Sequence, residues 1–304
     1  MTLPTISIAA WRADGGAAAD VAAQVDDALR SHGFLLVVDH GIDADLAAEV
    51  RAEARAWFSQ DPAVKGLLRC RVGGRGWIPP GAESNAYASG EESPPDLKET
   101  LKFGHAREEN RWPDEQPSLR PPVEAYLDQV WQLALTLFDI FAAALRLPDG
   151  TFRADASPGV SALNLNWYPS LHDVGPPEDG QFRVGAHSDF GMLTILDRQS
   201  GHGCLQIQTA DGDWIDAPHV PGSLTINIGD LLARWTGDRW RSTFHRVLPP
   251  SPEDAAEELM SLVAFCGIEP STLVETLDVD GPRNYEPVLA GEYVQSKIDA
   301  IDTA

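Results

Sequence analysis

His187 and Asp189 stand two residues apart in the run FRVGAHSDF, and His245 follows much later in RWRSTFHRVLP. Two imidazoles and one carboxylate suit a non-haem Fe(II) site: three protein donors, with about three coordination positions left for oxygen and an organic ligand. A closed zinc site would leave no such room. On a strand, side chains two apart share a face, so His187 and Asp189 are expected to converge on one ion from a single β-strand. His245 must then be carried to them across the mouth of a β-structure by several antiparallel strands. An H-x-D pair alone arises often by chance, and three structural or surface residues are the plain alternative. The distant histidine followed by Arg-Val, in a β-rich part of the chain, is what makes the set a candidate metal centre.

The elements that must position these residues are legible as patterns. From LNLNWYP onward the chain breaks into short apolar runs separated by Gly, Pro, Asp and Ser: FRVGAHSD, MLTILDR, LQIQT, LTINIGD, STFHRVLP and LMSLVAFCG. That texture predicts a mainly β core of about eight strands, closed like a jelly roll. Ahead of it, ISIAAW (6–11) reads as a strand. Ala17 to Arg30 reads as a helix with Val21, Val25 and Leu29 on one face, ending at Gly33. FLLVVDHGI (34–42) reads as a buried strand, and helices follow over about 44–59 and 121–146. Residues 73–96 are too rich in Gly and Pro to be regular throughout, and a cover over an active site is one use for such a segment. A last helix is expected over about 290–301. The expected organisation is one domain, 1–304: a helix-rich part to about 150, a jelly-roll core over about 160–270 and the C-terminal helix. The flanking helices are expected to buttress the outer sheet.

Composition excludes some partners. The chain has 304 residues and a formal net charge of -23, which repels phosphate backbones and anionic membranes. Its three cysteines, Cys70, Cys204 and Cys266, have no zinc or disulfide spacing. No run approaches the roughly 18 apolar residues of a membrane span, and no signal segment is recognisable, so a cytoplasmic location is expected. Neither nucleic acid, membrane nor an obligate protein partner is expected; O2 and a small-molecule substrate are.

The runs SHGFLLVVDHGI (31–42), RGWIPPGAES (75–84), DLKETLKFG (96–104), GAHSDFGMLTIL (185–196) and PGSLTINIGDLLARWTGDRWRSTFHRV (221–247) occur in order along nearly the whole chain. In these the chain resembles the isopenicillin N synthase-like branch of the Fe(II)/2-oxoglutarate-dependent oxygenases. The resemblance implies a distorted double-stranded β-helix with flanking helices, and His187, Asp189 and His245 as iron ligands. It implies hydroxylation, desaturation or cyclisation of an amino acid, peptide or natural-product intermediate. Asn166 to Pro169 match the family's N-x-Y-P motif, which implies that Tyr168 donates to the far carboxylate of 2-oxoglutarate and that Asn166 bonds to bound ligand or substrate. Ser261 matches the serine of the family's R-x-S motif, whose arginine grips that carboxylate. The arginine position is Leu259.

Leucine cannot balance a buried carboxylate, and three readings stay open. In the first, 2-oxoglutarate binds through the metal, Tyr168, Ser261 and an arginine from another strand, Arg183 or Arg198. In the second, the enzyme is a 2-oxoglutarate-independent oxidase that takes all its electrons from the substrate, as isopenicillin N synthase does. In the third, the protein binds a ligand without catalysis. Among other residues, Arg246 is expected to be structural, Asp230 to cap a turn near the ligand strands, and Phe190 and Phe265 to pack the core or shape the pocket. Trp235 and Trp240 are expected at the barrel rim. His32, His40, His105, His172, His202 and His219 are read as surface or satisfied core histidines.

Overall fold

Strand Leu259–Ile268 shows how the sequence builds this molecule. Its residues alternate: Leu262, Ala264, Cys266 and Ile268 are buried in the main apolar core, whereas Ser261, Val263 and Phe265 line an internal pocket. A period-two strand can thus pack helices on one face and form a binding cavity on the other. The computed structural model describes residues 3–12, 17–90, 93–105, 110–201 and 205–301. His202 and Cys204 lie outside the described residues; Cys70 and Cys266 are free thiols.

In chain order the strands of the two main sheets are β1 (Thr5–Ser7), β2 (Phe34–Val38), β3 (Gly76–Ile78), β4 (Glu99–Gly104), β5 (Ala156–Tyr168), β6 (Val184–His187), β7 (Leu193–Arg198), β8 (Leu205–Gln208), β9 (Trp214–Asp216), β10 (Leu224–Ile228), β11 (His245–Val247) and β12 (Leu259–Ile268). An eight-stranded sheet runs β1-β2-β10-β7-β12-β5-β4-β3, and a four-stranded sheet runs β6-β11-β8-β9. The larger sheet is covered on its outer side by helices α2 (Ala17–Ser31), α3 (Ala44–Phe58) and α5 (Arg120–Ala144), which share one core cluster with β5, β7, β10 and β12. The fold is a double-stranded β-helix flanked by helices, as the turn-punctuated strand pattern predicts.

Local chemistry sets the element ends. In α2, Val21, Val25 and Leu29 are buried on one stripe, and the helix stops where Gly33 takes φ +68°. A Cβ at Gly33 would also sit 2.2 Å from the Arg241 carbonyl oxygen, so glycine is required twice over. Asp43 caps α3 by accepting from the Asp45 amide at 2.9 Å. Helix α8 (Ala290–Ile301) occupies the expected span.

Two expectations change, and a third gains detail. ISIAAW divides into the end of β1 and a helical turn, α1 (Ala9–Arg12). The strand of FLLVVDHGI stops at Val38, one residue before Asp39 takes φ +56°. The Gly/Pro-rich segment holds β3 and a 3-10 turn over Asn85–Ser89, and it presses inward to place Glu83 and Asn85 in the pocket wall.

Candidate metal centre

The pairing of β6 with β11 brings the two histidines together: His187 and His245 are direct partners across the ladder, with ring centroids 4.2 Å apart. Asp189 joins them by a different route from the one its spacing suggests. Strand β6 ends at His187, so Asp189 lies beyond it and does not share a strand face with the histidine. Its backbone is held by the turn that opens α7 (Asp230–Trp235), where the Asp230 amide donates to the Asp189 carbonyl at 2.7 Å. Gly229 allows this approach; a Cβ there would lie 2.4 Å from the Gly191 oxygen and 2.8 Å from that of Asp189.

The donor atoms fit one ion. Asp189 Oδ1 lies 3.7 Å from His187 Nε2 and 3.8 Å from His245 Nε2. Two donors each about 2.1 Å from a metal can be at most about 4.2 Å apart, so both separations are compatible with a shared centre. All three ligand atoms lie within 4.8 Å of one another, and no fourth His, Cys, Asp or Glu joins them among the described residues. The open coordination positions expected for a redox-active site are therefore available.

The surroundings fix each donor. His187 Nδ1 donates to the Gly185 carbonyl at 2.8 Å and His245 Nδ1 to that of Thr243 at 3.2 Å, which leaves both Nε2 lone pairs facing the site. Phe34 packs edge-on against His245 with ring centroids 5.3 Å apart. Burial, then the neighbouring His245, pushes His187 down to about 3, so this imidazole is neutral at physiological pH. Burial opposes ionisation of Asp189, but the two imidazoles and two hydrogen bonds outweigh it and hold the carboxyl below its usual range. Those bonds reach Oδ2 from Thr194 Oγ1 at 2.5 Å and Asn227 Nδ2 at 2.6 Å, leaving Oδ1 for a metal.

Thr194 and Asn227 were not singled out from the sequence. Their signal is register: Thr194 and Asn227 are cross-strand partners on β7 and β10. A Thr194→Val/Asn227→Leu variant is expected to keep the fold and bind Fe(II) about 10- to 100-fold more weakly, measured by anaerobic titration. Asp230, by contrast, turns its carboxylate away, accepting from Ser242 Oγ at 2.6 Å.

The pocket over the triad is lined by Tyr168, Asn166, Asn164 and Ser261, and by Glu83, Asn85 and Lys98. Leu259 lies on the same face as Ser261 and forms a small apolar cluster with Tyr168 and Val184. The usual arginine position is thus occupied by packing. Tyr168 is fully enclosed, and burial raises its pKa against the pull of Ser261 and Asn166, so the phenol is a proton donor. Asn166 Oδ1 accepts from Thr100 Oγ1 at 2.8 Å. Of the two candidate arginines, Arg183 does not line the pocket: it is 1% exposed and bonds Glu257 Oε1 at 2.9 Å. Arg198 does line it.

Most of the remaining candidates are structural. Arg246 bonds the Gln206 side-chain oxygen at 2.9 Å and lies 4.1 Å over the Trp214 ring. Phe265 lines the pocket, whereas Phe190 packs with Val72, Ile78 and Ile301. Trp235 and Trp240 are core residues. None of the other described histidines lines the pocket.

With the geometry in place, comparison with known proteins gives one consistent answer. The model of the "2OG-Fe(II) oxygenase superfamily" matches residues 160–267, and that of the "non-haem dioxygenase in morphine synthesis N-terminal" matches residues 3–122. A validamycin A dioxygenase from Streptomyces hygroscopicus subsp. limoneus is 34% identical, over 97% of this chain and 86% of its own length. Flavanone 3-dioxygenase 2 of Oryza sativa subsp. japonica is 28% identical, over 90% of this chain and 79% of its own. A Neurospora crassa protein crystallised in complex with alpha-KG and thymine superposes with TM-score 0.86 at 25% identity, covering 98% of this chain and 96% of that one. The match spans both halves of the chain and carries the metal-binding triad with it: the chain belongs to the 2OG-Fe(II) oxygenase superfamily and is a non-haem Fe(II)-dependent oxygenase acting on a small molecule.

Proposed function

We propose that this oxygenase uses 2-oxoglutarate and O2 to oxidise a C–H bond of a polar small molecule. The observation that carries the reading is an open-faced triad under a pocket lined both by neutral hydrogen-bonding groups and by a charged pair. Tyr168, Ser261 and Asn166 offer hydrogen bonds suited to a dicarboxylate co-substrate. Glu83, Asn85, Lys98 and Asn164 also line the pocket. Asn164 Oδ1 is buried with no hydrogen-bond partner, an acceptor that a substrate donor would satisfy. Lys98 and Glu83 form a buried ion pair in the pocket lining. Burial, then the like charge of Lys102, pushes Lys98 down to about 7.

When bound, Fe(II) would supply the coordination positions and the redox relay through which O2 is reduced by electrons from the 2-oxo acid and the substrate. The chain supplies the rest. His187, Asp189 and His245 present one face of donors and leave the other free. Tyr168 and Ser261 orient the co-substrate, and the Glu83–Lys98 pair positions the substrate. The apolar residues Phe34, Leu196, Val184 and Val247 line the remaining pocket and limit water. The Streptomyces relative, named for validamycin A, supports a small-molecule substrate. The ordered motifs support placement in the isopenicillin N synthase-like branch, and the whole chain, 1–304, is read as one oxygenase domain. We place it in the cytoplasm, on the sequence grounds above; no described helix is long and apolar enough to cross a membrane.

Leu259 favours a second reading, an Fe(II) oxidase that needs no 2-oxoglutarate. One experiment separates the two. Fe(II) is loaded anaerobically, substrate candidates and O2 are added, and succinate is measured. Succinate formed in step with product supports the first reading, whereas oxygen uptake with substrate alone supports the second. A Lys98→Met/Glu83→Leu variant is expected to keep Fe(II) affinity, because a buried pair replaced by apolar residues costs little stability, while KM for substrate rises about 10-fold or more.

A further inference from the structure

We propose that Arg198 holds the distal carboxylate of the 2-oxo acid co-substrate, supplying from β7 the positive charge that Leu259 removes from β12. The proposal rests on the reading of 2-oxoglutarate as co-substrate and names the residue that makes such binding possible in this chain.

Register comes first. Ser261 pairs directly with Arg198 on one side and with Asn166 on the other. Residues opposite one another in an antiparallel ladder point to the same face. Thr194, Leu196 and Arg198 follow at period two on β7, and all three line the pocket. Arg198 therefore belongs to the same wall as Ser261, in one polar row across β5, β12 and β7. Neighbouring strands lie about 4.8 Å apart and residues rise about 3.4 Å, so the charge has moved one strand across and two residues along from Leu259, about 8 Å between backbone positions.

Charge comes next. A carboxylate taken into this pocket needs a cation, because neutral donors such as Tyr168 and Ser261 do not offset its desolvation. Arg183 is engaged with Glu257, and Lys98 with Glu83. Arg198 is different. Its guanidinium donates through Nη2 to the carbonyl oxygens of Ala217, at 2.8 Å, and Pro218, and no carboxylate lies within ion-pair distance among the described residues. Its remaining N–H groups have no partner there. Burial without a counter-charge lowers its pKa from the ordinary arginine value, a cost that a bound anion would remove. A planar fork of donors is also the geometry that recognises a carboxylate.

The test compares two acids in equilibrium binding. Fe(II)-loaded protein is titrated anaerobically by calorimetry with 2-oxoglutarate and with 2-oxopentanoate, which keeps the 2-oxo acid end and lacks the distal carboxylate. The wild type is expected to prefer 2-oxoglutarate by about 10- to 100-fold, the worth of a charged hydrogen-bonded contact. Arg198→Gln is expected to lose that preference to within about threefold through weaker 2-oxoglutarate binding alone, and Arg198→Lys to retain part of it. A Gln variant that keeps the wild-type preference overturns the role of Arg198 and leaves the co-substrate reading standing. Equal loss of both acids overturns it too, by marking Arg198 as structural. A wild type that binds both acids alike, or neither, overturns the co-substrate reading itself.

Discussion

Asp189→Ala is expected to abolish turnover and weaken Fe(II) binding by about 100-fold or more, read by anaerobic Fe(II) titration. The carboxylate is the only anionic donor of the triad, and its Oδ1 lies under 4 Å from both Nε2 atoms. Removing it leaves two neutral imidazoles to hold a divalent cation in a buried site, a loss on the order of 3–5 kcal/mol, or about 100- to several-thousand-fold. The substitution also strands the Thr194 hydroxyl and the Asn227 amide, which now donate to Oδ2. Asp189→Asn is the informative companion. It keeps the shape but loses the charge and one acceptor, so it should bind iron poorly while its unfolding midpoint stays nearer wild type. Wild-type affinity in the alanine variant would place the metal elsewhere.

The second large effect is on stability and arises behind the pocket. Arg183→Met is expected to destabilise the protein by about 3–5 kcal/mol, seen as a lower urea midpoint at unchanged slope. Arg183 is almost fully enclosed. Its Nη1 bonds Glu257 Oε1 at 2.9 Å, its Nη2 bonds the Glu257 carbonyl at 3.0 Å, and its guanidinium lies 5.6 Å from the centre of the Tyr168 ring. It precedes β6, and Glu257 precedes β12, so the pair ties the strand of His187 to that of Ser261. Removing the arginine takes its counter-charge from Glu257 in a region of low solvent access. Arg183→Met/Glu257→Leu should recover much of the loss, since the cost lies in the uncompensated charge rather than in the absence of the pair. The single variant should also weaken 2-oxo acid binding through a displaced Tyr168, a readout that a purely global effect would not move.

The metal centre was largely legible because donor chemistry restricts residue types. Two histidines and a carboxylate around turn-punctuated strands point to one kind of site, and the ladder does place His187 opposite His245. The route taken by Asp189 was not legible. Period-two spacing suggests a shared strand face, but the strand ends at His187, and a loop held by Asp230 and Gly229 delivers the carboxylate instead. Thr194 and Asn227 were missed for a related reason: their bonds to Asp189 depend on which strands are neighbours, and local spacing carries no such information. The same holds for Arg198. Leu259 could be found by position in a motif, and two arginines could be named as substitutes, but only cross-strand register and ion-pair partners separate Arg183 from Arg198. Helix spans were better determined. The stripe of Val21, Val25 and Leu29 and the stop at Gly33 are local features, as are those of the last helix, which covers Ala290–Ile301.

The most direct test is an iron-edge anomalous difference map of crystals grown anaerobically with one equivalent of Fe(II). The predicted result is a single peak bonded to Nε2 of His187, Nε2 of His245 and Oδ1 of Asp189, each at about 2.0–2.2 Å, with the remaining positions held by water or added 2-oxoglutarate. A peak elsewhere, or an iron lacking any one of these three donors, would contradict the account.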